Sequence, residues 1–222
     1  MLIYLVGGAM RDKIMGKTSH DIDYVVEAES YLHMKSYLKE NFTILYEKPE
    51  FLTIRVKDND QKCVDYVLAR KDGLYRDGRH PDDVTMGTIE DDLSRRDFRM
   101  NAIAQKLDGT IVDPYHGMKD VKNKIIRCVG STDRLKEDSL RLLRAVRFHI
   151  TLDFGLDVDI IRCLQDQAYI DLLDHISKER IKEEMTKCFN HNTLQTLNVL
   201  NTYSLLKQYL FTKILKLKPM LI

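Results

Sequence analysis

Asp21-Ile22-Asp23 places two carboxylates one residue apart, ten residues after Arg11 and shortly after a Gly7-Gly8 pair. Two like charges on one strand face repel unless a cation or solvent offsets them, and paired hard oxygens beside a glycine turn suit Mg²⁺ held next to phosphate. Asp65, in Cys63-Val64-Asp65-Tyr66-Val67, is a carboxylate inside an apolar run. It fits equally a third metal ligand or the partner of an arginine. Arg95 and Arg96 follow an acidic stretch, where their guanidiniums suit triphosphate oxygens or an ion-pair network that orders the turn. Farther on, Asp138, Arg141, Arg144 and Arg147 recur every three residues. Arginines so spaced on a helix repel unless an anion sits among them, though an exposed helix with solvated arginines shows the same spacing.

These side chains need elements to hold them. Residues 2–6 are apolar and bounded by glycine, which predicts a buried strand. The chain then turns at Gly7-Gly8 into a helix whose unpaired N–H groups and Arg11 face the turn. Residues 21–26 predict a second strand, with Asp21 and Asp23 on one face and Ile22 on the other. A helix over 30–42 has Ser30 as its cap and Tyr31, Met34, Leu38 and Phe42 as its apolar face. Strands are predicted at 51–57 and 63–70, followed by a polar glycine- and proline-bearing loop over 71–83 suited to a lid. After the arginine motif, an apolar helix is expected to run through Ile103 and Ala104, and strands at 111–115 and 125–129 complete the mixed region. Beyond Gly130 helical spacing prevails. It gives a helix over 137–148 with Asp138, Arg141 and Arg144 on one stripe and Arg147 at its edge, a Ser177-capped helix, and a last helix over 193–206.

The pattern is α+β: a mixed-sheet domain over 1–130 followed by an all-helical one over 131–222. The chain has 222 residues, 44% of them apolar, enough for a real core. Its net charge of +1 hides a basic stretch from Lys119 to Arg147, with nine Lys or Arg against four Asp or Glu. That stretch suits a polyanionic partner, or a solvated face. The cysteines at 63, 128, 163 and 188 lie in apolar runs without metal-ligand spacing and are expected to be reduced core thiols. No secretory pattern opens the sequence and no apolar run approaches the roughly 18 residues of a membrane span, so a cytoplasmic protein is expected. Residues 207–222 hold four lysines and no acid. They suit RNA phosphates or a docking edge for a partner, including a second copy of the chain.

The chain resembles the class II tRNA nucleotidyltransferases (CCA-adding enzymes) and the bacterial poly(A) polymerases of the polymerase β superfamily. The residues that carry the resemblance are Leu5 to Asp12 with Asp21-Ile22-Asp23; Asp92-Leu93-Ser94-Arg95-Arg96-Asp97-Phe98 to Asn101-Ala102; Asp113-Pro114-Tyr115; Glu137-Asp138 to Arg147-Phe148; and, more weakly, Ser177 to Glu184. They occur in the family's order over roughly residues 1–185. The resemblance implies a polymerase β-like catalytic head with a mixed sheet and a helical neck that selects the nucleotide. Asp21 and Asp23 would bind two Mg²⁺ ions, and Asp65 is the candidate third catalytic carboxylate. Gly8, Arg11, Arg96, Arg144 and Arg147 would hold the incoming nucleotide. Asp138 and Arg141 would read the base, accepting from the exocyclic amine and donating to a ring nitrogen of CTP or ATP. The implied reaction completes the 3′-CCA of tRNA. The alternatives are CC- or A-only addition, poly(A) addition, or a catalytically silent RNA-binding module, against which the presence of every expected carboxylate and arginine speaks. The sequence ends soon after the neck, so the expectation is a compact form without body and tail domains, its RNA grip left to the basic C-terminal segment or to a second subunit.

Overall fold

The computed structural model describes residues 1–19, 21–73 and 84–214. The chain divides into two compact units, with a break between Asn123 and Lys124. The lid expected over 71–83 lies outside the described residues from 74 onward, and so does the basic terminus from 215 onward.

In the first unit the strands are β1 (Leu2–Val6), β2 (Ile22–Glu27), β3 (Thr43–Lys48), β4 (Thr53–Lys57), β5 (Cys63–Leu68), a separate pair β6 (Arg70–Asp72) and β7 (Val84–Met86), then β8 (Ala104–Lys106) and β9 (Ile111–Val112). Seven of them form one mixed sheet in the order β3-β4-β5-β2-β1-β8-β9. Only β2 and β5 run parallel in that sheet. Its helices are α1 (Gly7–Ile14), α2 (Tyr31–Asn41), α3 (Ile89–Ser94) and α4 (Gly117–Asn123).

Ser30 caps α2 by accepting from the His33 N–H at 3.0 Å. Met34 and Leu38 of α2 are sealed against Val26, Ile54, Val56, Val64, Tyr66 and Leu68, with Ile22 and Tyr24 packed alongside. Each such buried side chain contributes about 1.5–3 kcal/mol. Because side chains alternate along a strand, this packing sends Asp23, Asp65 and Arg55 to the opposite face.

Four expectations change here. Strand β3 was not predicted: as an edge strand with mostly exposed residues it lacks clean alternation. The apolar run at 103–104 is not helical. A short 3₁₀ turn at Arg99–Asn101 leads into β8, where Ala104 pairs with Val6, and a short buried run fits strand or helix equally well by periodicity. Helix α4 is likewise additional, started by Asp113, whose carboxylate accepts from the N–H groups of Gly117 and Met118 at 2.6 and 3.0 Å. All four cysteines are free, but Cys63, the first residue of β5, is exposed, and only Cys128, Cys163 and Cys188 are buried.

Among its described residues the second unit is helical apart from β10 (Ile125–Ile126), which pairs in parallel with β11 (Gly155–Leu156) rather than extending the large sheet. Its helices are α5 (Arg134–Glu137), α6 (Leu140–Leu152), α7 (Val158–Leu164), α8 (Gln167–Asp171), α9 (Lys178–His191), α10 (Thr193–Thr202) and α11 (Ser204–Tyr209). Leu142, Leu143, Ala145 and Val146 of α6 are buried, as are Ile181, Met185 and Cys188 of α9, and the two helices pack together. The single helix expected over 137–148 is two. The chain leaves α5 at Asp138 in extended conformation and restarts at Leu140, whose N–H is accepted by the Asp138 carboxylate at 3.1 Å. Aspartate competes for backbone N–H groups and so favours helix ends over helix interiors. Asp138 therefore stands before the arginine stripe and not within it.

Candidate active site

In the first unit, register brings Asp23 to the glycine turn, while Asp21, expected in the same strand, is an exposed bend residue just before β2. Asp23 is the cross-strand partner of Val6 on one side and of Asp65 on the other. Val6 is followed at once by Gly7, whose φ of +67° is open to glycine and strained for other residues. A Cβ on Gly7 would lie 2.8 Å from Nη1 of Arg96, so the guanidinium rests directly on the turn. The Arg11 guanidinium sits by Gly8, 3.5 Å from where its Cβ would be.

Burial, then the neighbouring Asp21 charge, pushes the Asp23 carboxyl above its usual pKa; Arg96 acts the other way and Asp65 adds to the rise. A half-buried carboxylate crowded by two others is a hard-oxygen donor set short of positive charge, which fits Mg²⁺. Of the two alternatives for Asp65, the arginine partner is present. Asp65 lies beside Asp23 in register, and its two oxygens are engaged by Arg55, Nε to Oδ1 at 2.6 Å and Nη2 to Oδ2. No group of three or more acidic, histidine or cysteine side chains among the described residues converges as a finished metal cage.

The arginines are held by protein side chains, as in the ion-pair alternative for this motif. Asp92 is fully buried and accepts from Arg95 through Nε at 3.0 Å and Nη2, and from Arg96 through Nε and Nη2 at 3.2 and 2.9 Å. Burial opposes its ionisation, but the Arg96 and Arg95 charges and their hydrogen bonds outweigh this and hold the pKa below the ordinary carboxylate value. Asn101 accepts from Arg11 Nη1 at 2.9 Å and donates to Asp97 Oδ1 at 3.0 Å, while Arg11 also donates to Asp12. The spacing of Asp92 three and four residues before two arginines was the available signal.

In the second unit the arginine stripe is compensated by protein groups, an arrangement that neither the bound anion nor the solvated face of the sequence reading anticipates. Glu137 accepts from Arg134 at 2.5 Å and from Arg141 at 3.2 Å, and Arg141 also donates to the Arg134 carbonyl. Glu184 of α9 accepts from Arg147 at 2.5 Å and Lys187 at 3.0 Å. The Arg144 and Arg147 guanidiniums lie over the Phe148 ring, 5.4 and 3.9 Å from its centre. Asp138 is held from α9 by Arg180, Nη2 to Oδ2 at 3.2 Å. In the basic C-terminal stretch, Lys207 donates to Asn201 and Lys213 to Asp174. Among the described residues, no helix is long and apolar enough to cross a membrane.

The chain is similar to known proteins in sequence and in fold. A CCA-adding enzyme of Listeria monocytogenes serotype 4b (strain CLIP80459) is 38% identical over 187 residues, which cover 83% of this chain and 46% of that protein. The Bacillus stearothermophilus CCA-adding enzyme in complex with CTP superimposes with a TM-score of 0.77 at 33% identity, over 89% of this chain and 47% of that one. The Thermotoga maritima CCA-adding enzyme complexed with tRNA_CCA gives a TM-score of 0.78 at 26% identity, over 96% and 48%. The chain thus spans about half the length of the relatives it matches. The profile of the Poly A polymerase head domain matches residues 3–127, more than half of the sequence, and the chain belongs to that family.

Proposed function

We propose that the protein is a template-independent RNA nucleotidyltransferase that adds or repairs the 3′-terminal CCA of tRNA, using CTP and ATP and releasing pyrophosphate. The observation that carries this reading is the pairing of Asp23 with Val6, which sets the Asp23 carboxylate, with the Asp21 charge close by, beside a glycine turn faced by Arg96. Similarity to CCA-adding enzymes, including structures with CTP and with tRNA, supports it.

Asp21 and Asp23 would hold the Mg²⁺ ions, with Asp65 as the third candidate. When bound, the ions activate the RNA 3′-hydroxyl and grip the triphosphate. Arg96, held in orientation by Asp92, and Arg11, held by Asn101, offer fixed donors for phosphate oxygens beside the N-terminus of α1. In the second unit, an ionised Asp138 is an acceptor only, and Arg141 is a donor oriented by Glu137. Cytosine and adenine both present an amine beside an unprotonated ring nitrogen, whereas uracil and guanine present a carbonyl that would face the carboxylate unpaired. Arg144 and Arg147 supply further positive charge along α6.

The test offers the purified protein Mg²⁺, tRNAs ending before CCA, after C and after CC, and each labelled nucleoside triphosphate in turn. Addition of C, C and A followed by a stop is the expected result. Addition of C or A alone identifies a partial-specificity enzyme, and unlimited A addition a poly(A) polymerase. Absence of any incorporation overturns the enzymatic reading and leaves an RNA-binding module. The role of Asp65 is separated by two variants. If it is a ligand, Asp65→Ala loses Mg²⁺-dependent transfer while Arg55→Met keeps it; if it only partners Arg55, both variants keep transfer.

A further inference from the structure

We propose that Arg180 is a specificity-positioning residue: from the first turn of α9 it fixes the Asp138 carboxylate and so sets which nucleobase edge that carboxylate accepts. This rests on the reading of Asp138 as the base-reading acceptor. The terminal torsion of an aspartate is broad and roughly two-fold, so an untethered carboxylate would present its oxygens over a wide arc. Discrimination between an amine and a carbonyl needs an acceptor at one place.

Asp138 is tethered at both oxygens. Oδ1 accepts from the Leu140 N–H at 3.1 Å, which ties it to the start of α6, and Oδ2 accepts from Arg180 Nη2 at 3.2 Å, which ties it to a helix 42 residues away. Each oxygen keeps lone-pair capacity for a ligand donor. The tether is itself anchored. Ile181 beside Arg180 is fully buried, and Glu184 one turn on binds Arg147 of α6 at 2.5 Å, so the first turns of α9 are pinned to the helix that Asp138 precedes.

The remaining terminal nitrogen of Arg180, Nη1, is buried and has no hydrogen-bond partner among the described residues. Of its two terminal nitrogens, the one bonded among the described residues is therefore Nη2, on Asp138. A lysine could keep the charge but not the planar fork that fixes direction.

The experiment measures kcat/KM for CTP against UTP on tRNA ending before CCA, and for ATP against GTP on tRNA ending in CC. It compares the wild type, Arg180→Met, Arg180→Lys, Asp138→Ala and the Arg180→Met/Asp138→Ala pair, with a melting curve for each. Arg180→Met is expected to lower both ratios about tenfold or more, chiefly through KM of the correct nucleotide. Arg180→Lys is expected to fall between it and the wild type. The double variant should discriminate no worse than Asp138→Ala, because Arg180 acts through Asp138. If Asp138→Ala blurs the ratios while Arg180→Met keeps them, the inference is overturned and the base reading stands. A double variant worse than Asp138→Ala also overturns it. If Asp138→Ala keeps the ratios, the base reading itself fails. Should Arg180→Met melt before assay, Arg180→Lys decides: wild-type ratios in that variant overturn the inference.

Discussion

Replacing Asp92 by Asn tests the clamp on the arginine motif with little change in shape. The carboxylate is fully buried, and four guanidinium N–H groups of Arg95 and Arg96 converge on its two oxygens. Asparagine keeps one acceptor, loses the charge and points an NH₂ group at donors. Removing one partner of a buried ion pair costs about 3–5 kcal/mol. Because the two guanidiniums keep 21% and 20% of their side-chain surface in water, the loss belongs at the low end, about 3 kcal/mol. In a chain of this size that lowers Tm by roughly 6–12 °C, measured by calorimetry or circular dichroism, with urea unfolding at constant slope as the free-energy reading. The pH dependence has a fixed sign. The folded pKa of Asp92 is depressed, so its contribution is fully present above the unfolded carboxylate value and is lost as pH falls through the lowered one. The gap between wild type and Asp92→Asn should therefore close on acidification. A loss below about 1 kcal/mol at neutral pH, or a gap that widens in acid, refutes the assignment of Asp92 as the clamp.

Gly7→Ala forces an L-residue into φ +67° and sets a methyl 2.8 Å from Arg96 Nη1; a loss of about 1–2 kcal/mol in urea unfolding is expected. The displaced guanidinium should raise KM for the nucleotide more than it lowers kcat, and an unchanged KM would separate Arg96 from the phosphate. Gly117→Ala sets a Cβ 2.0 Å from the Arg99 carbonyl oxygen and 2.7 Å from Ile103 Cγ1, where backbone has to move. Its cost should reach at least about 2–3 kcal/mol by denaturant titration, and a neutral result would contradict the close approach of α4 to the turn at Arg99–Asn101. Glu184→Gln leaves Arg147 without its carboxylate at a site where the two side chains are 5% and 15% exposed; a stability loss of about 2–3 kcal/mol is expected. Burial opposes ionisation of Glu184, but Arg147 and Lys187 hold its pKa below the usual 4.5. The difference from wild type should thus shrink as pH falls below that value, and a Tm difference constant from pH 7 to pH 3 would argue against the pair.

Much of the site was legible from residue type and local spacing. Gly7-Gly8 at the start of a helix, Asp23 in a strand of alternating faces and Ser30 three residues before the His33 N–H are short-range patterns, and short-range sterics and hydrogen bonding decide them. The arginine motif was legible as charge, with an ion-pair network as one of its two alternatives, while the choice between them was not, because whether Asp92 faces inward toward Arg95 and Arg96 or outward to water depends on what packs over α3. The break at Asp138 turned on a side chain competing with helical hydrogen bonding, a balance that periodicity does not register.

Tertiary structure alone decided which distant residues meet. That Asp23 stands between Val6 and Asp65 follows from β2 pairing antiparallel with β1 and parallel with β5, a register no spacing along the chain encodes. Asp65 was open between metal and arginine in the sequence, and its two flanking strands set Asp23 on one side, from β2, and Arg55 on the other, from β4. Arg180 reaches Asp138 only because α9 packs on α6. The sequence by itself determined the chemistry on offer, since carboxylates, guanidiniums and glycines carry it wherever they sit. Pairing and packing determined how it is aimed, since direction and distance arise from contacts between residues far apart in the chain.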